Sequence, residues 1–170
     1  MAMFSNEFHG LKDLMINQLE DLYDAENRLT EALPLMAQAA TAPNLKSAFE
    51  EHFRQTQGHV ARLEQVFGQL GCDPKRVTCD AMKGLIKEGQ EMIDAKGDNE
   101  TRDAGLIAAA QKVEHYEMAG YGSVRTFAQQ LGKTGIARIL QQTLDEEGET
   151  DKKLTSIAES HVNPQASVVQ

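Results

Sequence analysis

Residues 106–117 read LIAAAQKVEHYE. The apolar side chains in this stretch recur every three or four positions, which is the spacing of one face of an α-helix. The same face then carries Glu117, and Glu114 lies one turn earlier on nearly the same side. An unpaired carboxylate is costly to bury because it loses its hydration. The segment therefore predicts a helix whose inward face carries acidic groups that need a partner.

The rest of the chain divides into segments of the same kind, separated by turns rich in Gly, Pro and Asn. Apolar periodicity predicts four long helices, with Asn44 as the N-cap of the second; they span residues 10–40, 45–70, 101–131 and 134–160. Residues 72–102 form a long connection with a shorter helix of its own, over about 80–95. Two short hairpin turns and one long connection predict an all-α fold, the ferritin-like antiparallel four-helix bundle. A plain up-down bundle with an elaborated loop is the alternative.

Length and charge narrow the class of protein. The chain of 170 residues fits one domain, which we expect to span residues 1–160, followed by a flexible C-terminal tail, 161–170. Its formal net charge of −9 argues against binding to nucleic acid or to a membrane surface, since both need clustered Lys and Arg. The N-terminus lacks the pattern of a signal peptide, and two cysteines, Cys72 and Cys79, are too few for a disulfide framework. We therefore expect a cytoplasmic protein.

The other three long helices also carry ionisable residues within their apolar stripes: Glu26 in the first, His52 and His59 in the second, and Glu147 and Asp151 in the fourth. The first hairpin turns near residue 42, so Glu26 lies about 16 residues before the turn and faces a position beside His59. The second turns near residue 133, so Glu117 faces a position between Glu147 and Asp151. Both hairpins thus place their polar groups at one height in the bundle.

A layer of buried carboxylates and a histidine needs cations to compensate its charge. Oxygen and imidazole ligands fit iron or manganese, or zinc as a substitute, with one or two ions per chain. For each residue alone a plainer interpretation exists, because a glutamate at the edge of a stripe often faces solvent and a core histidine is often only hydrogen-bonded. However, ionisable residues interrupt the apolar stripe of all four helices at the same height in the bundle, and this coincidence favours the metal site. His52 lies one heptad from His59, a separation that argues against one shared pair of ions.

Three segments resemble the YciE/YciF-type family of bacterial ferritin-like proteins: LYDAE at residues 22–26, LIAAAQKVEHYE at 106–117, and the acidic segment 145–151. The resemblance covers about residues 8–160. It implies a ferritin-like bundle that is cytoplasmic, forms a homodimer and is associated with stress responses. It also implies that six positions match metal ligands of the wider ferritin-like superfamily, namely Glu26, His59, Glu114, Glu117, Glu147 and Asp151.

The second helix departs from the superfamily pattern. It carries Gln55 and Thr56 where a carboxylate is expected, and the fourth helix carries Asp151 where a histidine is expected. Because Gln55 brings no charge, we expect the ion nearer His59 to bind more weakly. Three functions remain open: a di-metal oxidoreductase that oxidises iron or reduces peroxide or oxygen, a non-catalytic stress protein with a degenerate metal site, and an interaction module. In the first, Tyr121 would donate a hydrogen bond at the site.

Overall fold

The structure is a computed structural model that describes residues 7–168. Within that range the chain forms helices and no strand. The helices are α1 Leu11–Ala39, α2 Pro43–Leu70, α3 Asp80–Ile93, α4 Asn99–Gln130 and α5 Thr134–Ile157, followed by a π-helical turn Ala158–Val162 and α6 Asn163–Ala166. The prediction of an all-α protein with a short helix in its long connection is confirmed.

The start of α2 differs from the prediction. The helix begins at Pro43, and its side chains provide no cap, so Asn44 lies inside the first turn. Proline suits this position because its missing N–H has no helical partner to bond there. At the other ends, Gly71 follows α2 and Gly132 follows α4 with φ of 72° and 71°, a left-handed conformation that glycine adopts without strain.

The segment predicted as a flexible tail continues as helix through Ala166. Val162 is 1% exposed and packs in the same apolar cluster as Leu154 and Ile157. This apolar contact, which the sequence pattern did not suggest, extends the helical conformation beyond residue 160. Residues 169–170 lie outside the described range.

The long helices pack as two hairpins, α1 with α2 and α4 with α5, which meet through α1–α4 and α2–α5 contacts. Leu22 lies against Gly120, whereas Thr41, just beyond α1, bonds to Asp103 near the start of α4. α1 and α4 are therefore antiparallel, and α2 and α4 run in the same direction. This is the predicted ferritin-like topology, since the plain up-down alternative would reverse the chain between α2 and α4.

Because α2 and α4 run in the same direction, their connection must return along the bundle. α3 makes this return while packing on α1 and α4. Its start is fixed by the buried Asp24 of α1, whose carboxylate accepts hydrogen bonds from Arg28 Nε at 2.6 Å, Arg76 Nε at 2.7 Å and the backbone N–H of Cys79 at 2.8 Å. Burial acts to raise the pKa of Asp24, but these donors outweigh it and lower the pKa. The Cys79 thiol then caps α3 by accepting from the N–H of Met82.

The buried apolar side chains form two clusters, one toward each end of the bundle. One contains Leu29 and Phe49, and the other contains Leu19 and Phe67. Between them lies a layer of buried ionisable side chains, here called the polar layer, consisting of Glu26, His52, His59, Glu114, Glu117 and Glu147. The bundle thus has two apolar halves joined across a polar level.

No helix within residues 7–168 has the length and apolar character needed to cross a membrane. The first six residues, on which the signal-peptide expectation partly rests, lie outside the described range.

Close packing of α1 against α4 depends on Gly120. A Cβ at Gly120 would lie 2.8 Å from Cδ2 of the buried Leu22, whereas a Cβ at Gly122 on the same helix would meet nothing within 4 Å. Gly122→Ala should raise the free energy of unfolding by about 1 kcal/mol through helix propensity. Gly120→Ala should be less stable than Gly122→Ala by about 1–3 kcal/mol because its methyl group overpacks the contact. Urea unfolding of both variants tests this, and equal stabilities would contradict it.

Candidate metal centre

All four long helices contribute to the polar layer, with Glu26 from α1, His52 and His59 from α2, Glu114 and Glu117 from α4, and Glu147 from α5. Each of these side chains is at most 2% exposed. On α2 and α4 the paired residues are seven and three positions apart, spacings that return to the same helix face. The helical stripes therefore bring these groups to one level.

The first group joins α1, α2 and α5. Nδ1 of His59 lies 3.3 Å from Oε1 of Glu26 and 3.0 Å from Oε1 of Glu147. The contact agrees with the hairpin arithmetic, which placed Glu26 opposite His59. One imidazole nitrogen and two carboxylates thus converge on a single position.

The second group joins α2, α4 and α5 through His52, Glu114, Glu117 and Glu147. Nε2 of His52 lies 3.2 Å from Oε1 of Glu114 and 3.7 Å from Oε2 of Glu147. In each of the two groups, one ligand atom from every residue lies within 4.8 Å of the others. This position has one more carboxylate than the first.

Glu147 belongs to both groups. Its Oε1 faces His59, and its Oε2 faces His52. A carboxylate whose two oxygens serve two neighbouring positions can bridge two cations, as in two-metal sites. The two groups are therefore neighbours that share one carboxylate.

Most carboxyl oxygens of the polar layer lack hydrogen-bond donors among residues 7–168: Oε2 of Glu26, Oε2 of Glu114, and both oxygens of Glu117 and Glu147. Such unpaired buried atoms are rare in folded proteins. Burial raises the pKa of all four carboxyl groups, to about 8 for Glu114 and well above its usual range for Glu117. Cations would replace the missing donors, and this set of oxygen and imidazole ligands suits iron, manganese or zinc.

The other ring nitrogen of His59 is held from outside the layer. Nε2 lies 2.8 Å from Oε2 of Glu146, and the guanidinium of Arg62 binds both oxygens of Glu146 at 2.8 and 2.7 Å. The hydrogen bond from Arg62 lowers the pKa of Glu146. The ionised carboxylate therefore accepts a hydrogen bond from the Nε2–H group of His59. Burial acts to lower the pKa of His59, but Glu26 and Glu147 raise it to about 11, so the metal-free ring also carries a proton on Nδ1. A cation bound between these groups would displace that proton, while Glu146 holds Nε2–H in place.

Tyr121 acts as the predicted hydrogen-bond donor at the site. It is fully buried and donates to Oε1 of Glu26 at 2.5 Å. Tyr23 instead donates to Glu64, away from the layer. Tyr116 donates to Asp21 and also contacts the thiol of Cys79.

Asp151, a predicted ligand, lies outside both groups. Its Oδ1 accepts a hydrogen bond from Gln111 at 3.0 Å and lies 3.4 Å from Nε2 of His115. The reason is helix register, because Thr150 rather than Asp151 faces the interior; the buried stripe of α5 is Ile136, Leu140, Thr143, Glu147, Thr150, Leu154 and Ile157.

The one-heptad separation argues against His52 sharing a pair of ions with His59, yet His52 belongs to the second group. Gln55, expected to weaken the ion near His59, lies instead beside His52, with its Oε1 3.4 Å from Nδ1. The inward position on α2 is that of Thr56, which is 0% exposed. The spacing of residues 52, 56 and 59 by four and three positions was the available signal, since it marks one helix face.

Comparisons with known proteins bear on the fold and the family. A family model described as a domain of unknown function, DUF892, matches residues 10–167. Protein YciF of Escherichia coli strain K12 is 46% identical over 157 residues, which cover 92% of this chain and 95% of YciF. The crystal structure of that stress protein has a TM-score of 0.88 to this structure and covers 92% of this chain and 99% of its own.

Two further solved structures extend the comparison. YcfI, a proposed structural protein from Rhodopseudomonas palustris, is 40% identical with a TM-score of 0.87, covering 92% of this chain and 99% of its own. A dodecameric thioferritin related to bacterioferritin, from Bacteroides fragilis, is 16% identical with a TM-score of 0.70, covering 95% and 93%, and shares the fold alone. The fold is ferritin-like, and the resemblance to YciF-type proteins is confirmed. The chain belongs to the DUF892 family.

Proposed function

We propose that the polar layer binds two divalent cations, iron or manganese, and that the protein serves in a stress response through this centre. The observation that carries the proposal is the set of carboxyl oxygens around Glu147 that lack donors among residues 7–168. Two divalent ions carry +4, and the four buried glutamates carry −4 when ionised. The loaded layer would be neutral, whereas the metal-free layer must hold protons.

The chain's own residues divide the work of holding the ions. Glu26, His59 and Glu147 would hold one ion, and His52, Glu114, Glu117 and Glu147 would hold the other. A bound pair of iron ions supplies redox chemistry toward oxygen or peroxide. The activity that we propose is therefore oxidation of iron(II) by oxygen or peroxide, and the similarity to the stress protein YciF supports a role under stress. On family resemblance alone, we further propose a cytoplasmic homodimer.

A second candidate is a non-catalytic stress protein whose metal only stabilises the fold. The ferritin-like pattern has Glu-x-x-His on two helices, but this chain has Thr56 three residues before His59 and Thr150 three residues after Glu147. Metal that binds only the native state would still raise the apparent stability. YcfI, which resembles this chain closely, has been suggested to be structural.

Removal of Glu147 tests the shared centre. Metal-free native protein should bind about two manganese(II) ions per chain. Glu147→Gln should weaken binding at both positions by at least about tenfold, the loss that even residues supporting a ligand produce. Two carboxylates of the same helix serve as controls: Glu149→Gln, which is exposed, and Asp151→Asn, which lies outside both groups. Isothermal titration calorimetry with elemental analysis gives the result; native-like binding by Glu147→Gln would refute the bridging role.

Stability of the metal-free protein should depend on pH through Glu114. Burial raises the pKa of Glu114 from 4.5 to about 8, so the folded chain keeps a proton that the unfolded chain releases between these values. The free energy of unfolding should therefore fall as the pH rises from about 5 to about 8. Glu114→Gln, which cannot ionise, should reduce this slope and leave the part due to the other three glutamates, whose pKa values are also raised. Urea unfolding in chelator at several pH values measures it, and stability that rises across the window would contradict the assignment.

Iron oxidation separates the two candidate functions. If the centre is catalytic, the native protein should consume oxygen or peroxide with added iron(II) much faster than buffer, and Glu147→Gln should not. If the centre only stabilises the fold, metal should raise the melting temperature while iron oxidation stays at the rate in buffer.

A further inference from the structure

Thr56 lies at the centre of α2's inward face and belongs to neither candidate group. It is 0% exposed and follows His52 by four residues and precedes His59 by three, which places all three on one helix face. The two imidazole rings have centroids 6.2 Å apart. Thr56 therefore lies between the histidines of the two metal positions.

The hydroxyl of Thr56 has no hydrogen-bond partner among residues 7–168. A hydroxyl in a helix ordinarily donates to the carbonyl three or four residues earlier, as four others in this chain do: Thr30, Ser123, Thr126 and Ser160. Leaving a buried hydroxyl unpaired costs free energy. A ligand that accepts its hydrogen would remove this cost.

The charge and size of that ligand can be inferred from the residue that the ferritin-like pattern has at this position. The ferritin-like di-metal pattern has a glutamate three residues before the α2 histidine, which corresponds to position 56 in this chain. Threonine is shorter than glutamate and uncharged, so it does not supply the carboxylate ligand or the negative charge of that glutamate. Two trivalent ions would carry +6, and the four glutamates carry −4 when ionised. The oxidised centre would therefore have a net positive charge. A small anion can supply both the ligand and the charge.

We propose that Thr56 donates its hydroxyl hydrogen to a small anion of the hydroxide and peroxide class, which binds beside the cations of the polar layer. The inference rests on the proposed function, because the anion's charge is set against those ions. A glutamate at position 56 would occupy this place itself, so threonine leaves the α2 side of the centre without a carboxylate.

Azide serves as the probe because it is a small anion whose binding to iron(III) gives a visible absorption band. Native protein, Thr56→Val and Thr56→Ser are loaded with iron, oxidised in air and titrated with azide. Thr56→Val keeps the shape but loses the donor, so its azide dissociation constant should rise about tenfold. Thr56→Ser should bind azide as the native protein does. Thr30→Val serves as the control, because the hydroxyl of Thr30 donates to the backbone carbonyl of Asn27 and belongs to neither candidate group. Elemental analysis of each loaded sample should give the same iron content.

The outcomes are distinct. Weaker azide binding by Thr56→Val alone, at unchanged iron content, supports the inference. Equal dissociation constants for all variants, or no azide band in the iron-loaded native protein, overturn it and leave the metal proposal standing. Loss of iron from Thr56→Val but not from Thr56→Ser also overturns it, because the hydroxyl would then serve the cation. A native protein that takes up no metal overturns the proposed function and this inference together.

Discussion

Four carboxyl groups are buried at one level of the bundle, and their like charges cannot be accommodated without compensation. Protons, imidazole rings or cations must neutralise them, because the surrounding protein solvates charge poorly. Apolar residues of similar volume would pack these positions at less cost. The polar layer therefore does not stabilise the bundle, and the two apolar clusters on either side hold the helices together around it.

Buried carboxylates in this protein are of two kinds, and the number of their donors distinguishes them. Asp24 accepts three hydrogen bonds where the connection meets α1, and Asp103 accepts hydrogen bonds from Thr41 and the N–H of Ala42 where α1 turns into α2. These two carboxylates hold the start of α3 and the turn between α1 and α2 in place. The glutamates of the polar layer instead face one another with few donors, and burial raises rather than lowers their pKa. The buried carboxylates that stabilise the fold are thus those with several hydrogen-bond donors. The carboxylates with few donors are the ones that could bind a ligand.

Periodicity and short turns account for what the sequence predicts well. Antiparallel helices joined by a tight turn have fixed pairing, so counting from the turn places Glu26 opposite His59 without any side-chain information. The same counting is less precise about rotation around a helix axis. On α5 the threonines at 143 and 150 face inward, although Leu144 and Asp151 look the more natural members of an apolar stripe and of a metal site. The two turns between His52 and His59 argue against one shared pair of ions, yet both side chains lie beside Glu147, one at each of its carboxyl oxygens. Thr56 stands out in the sequence only as a departure from the superfamily pattern, because an uncharged residue does not visibly interrupt an apolar stripe.

The capping role of Cys79 has a consequence for its reactivity. Only a thiolate attacks disulfides, alkylating agents or peroxides efficiently, and burial raises the pKa of this thiol, which has no exposed surface. Its sulfur is also held by the first turn of α3 and by Tyr116. We therefore expect modification of Cys79 to require a local opening in which α3 leaves its contacts with α1 and α4. Cys72, which is only half-buried, has no such requirement. The two cysteines are thus natural chemical probes of this protein. Reaction of Cys72 with a thiol reagent reports solvent exposure in the folded state, and reaction of Cys79 reports how often α3 opens away from the bundle.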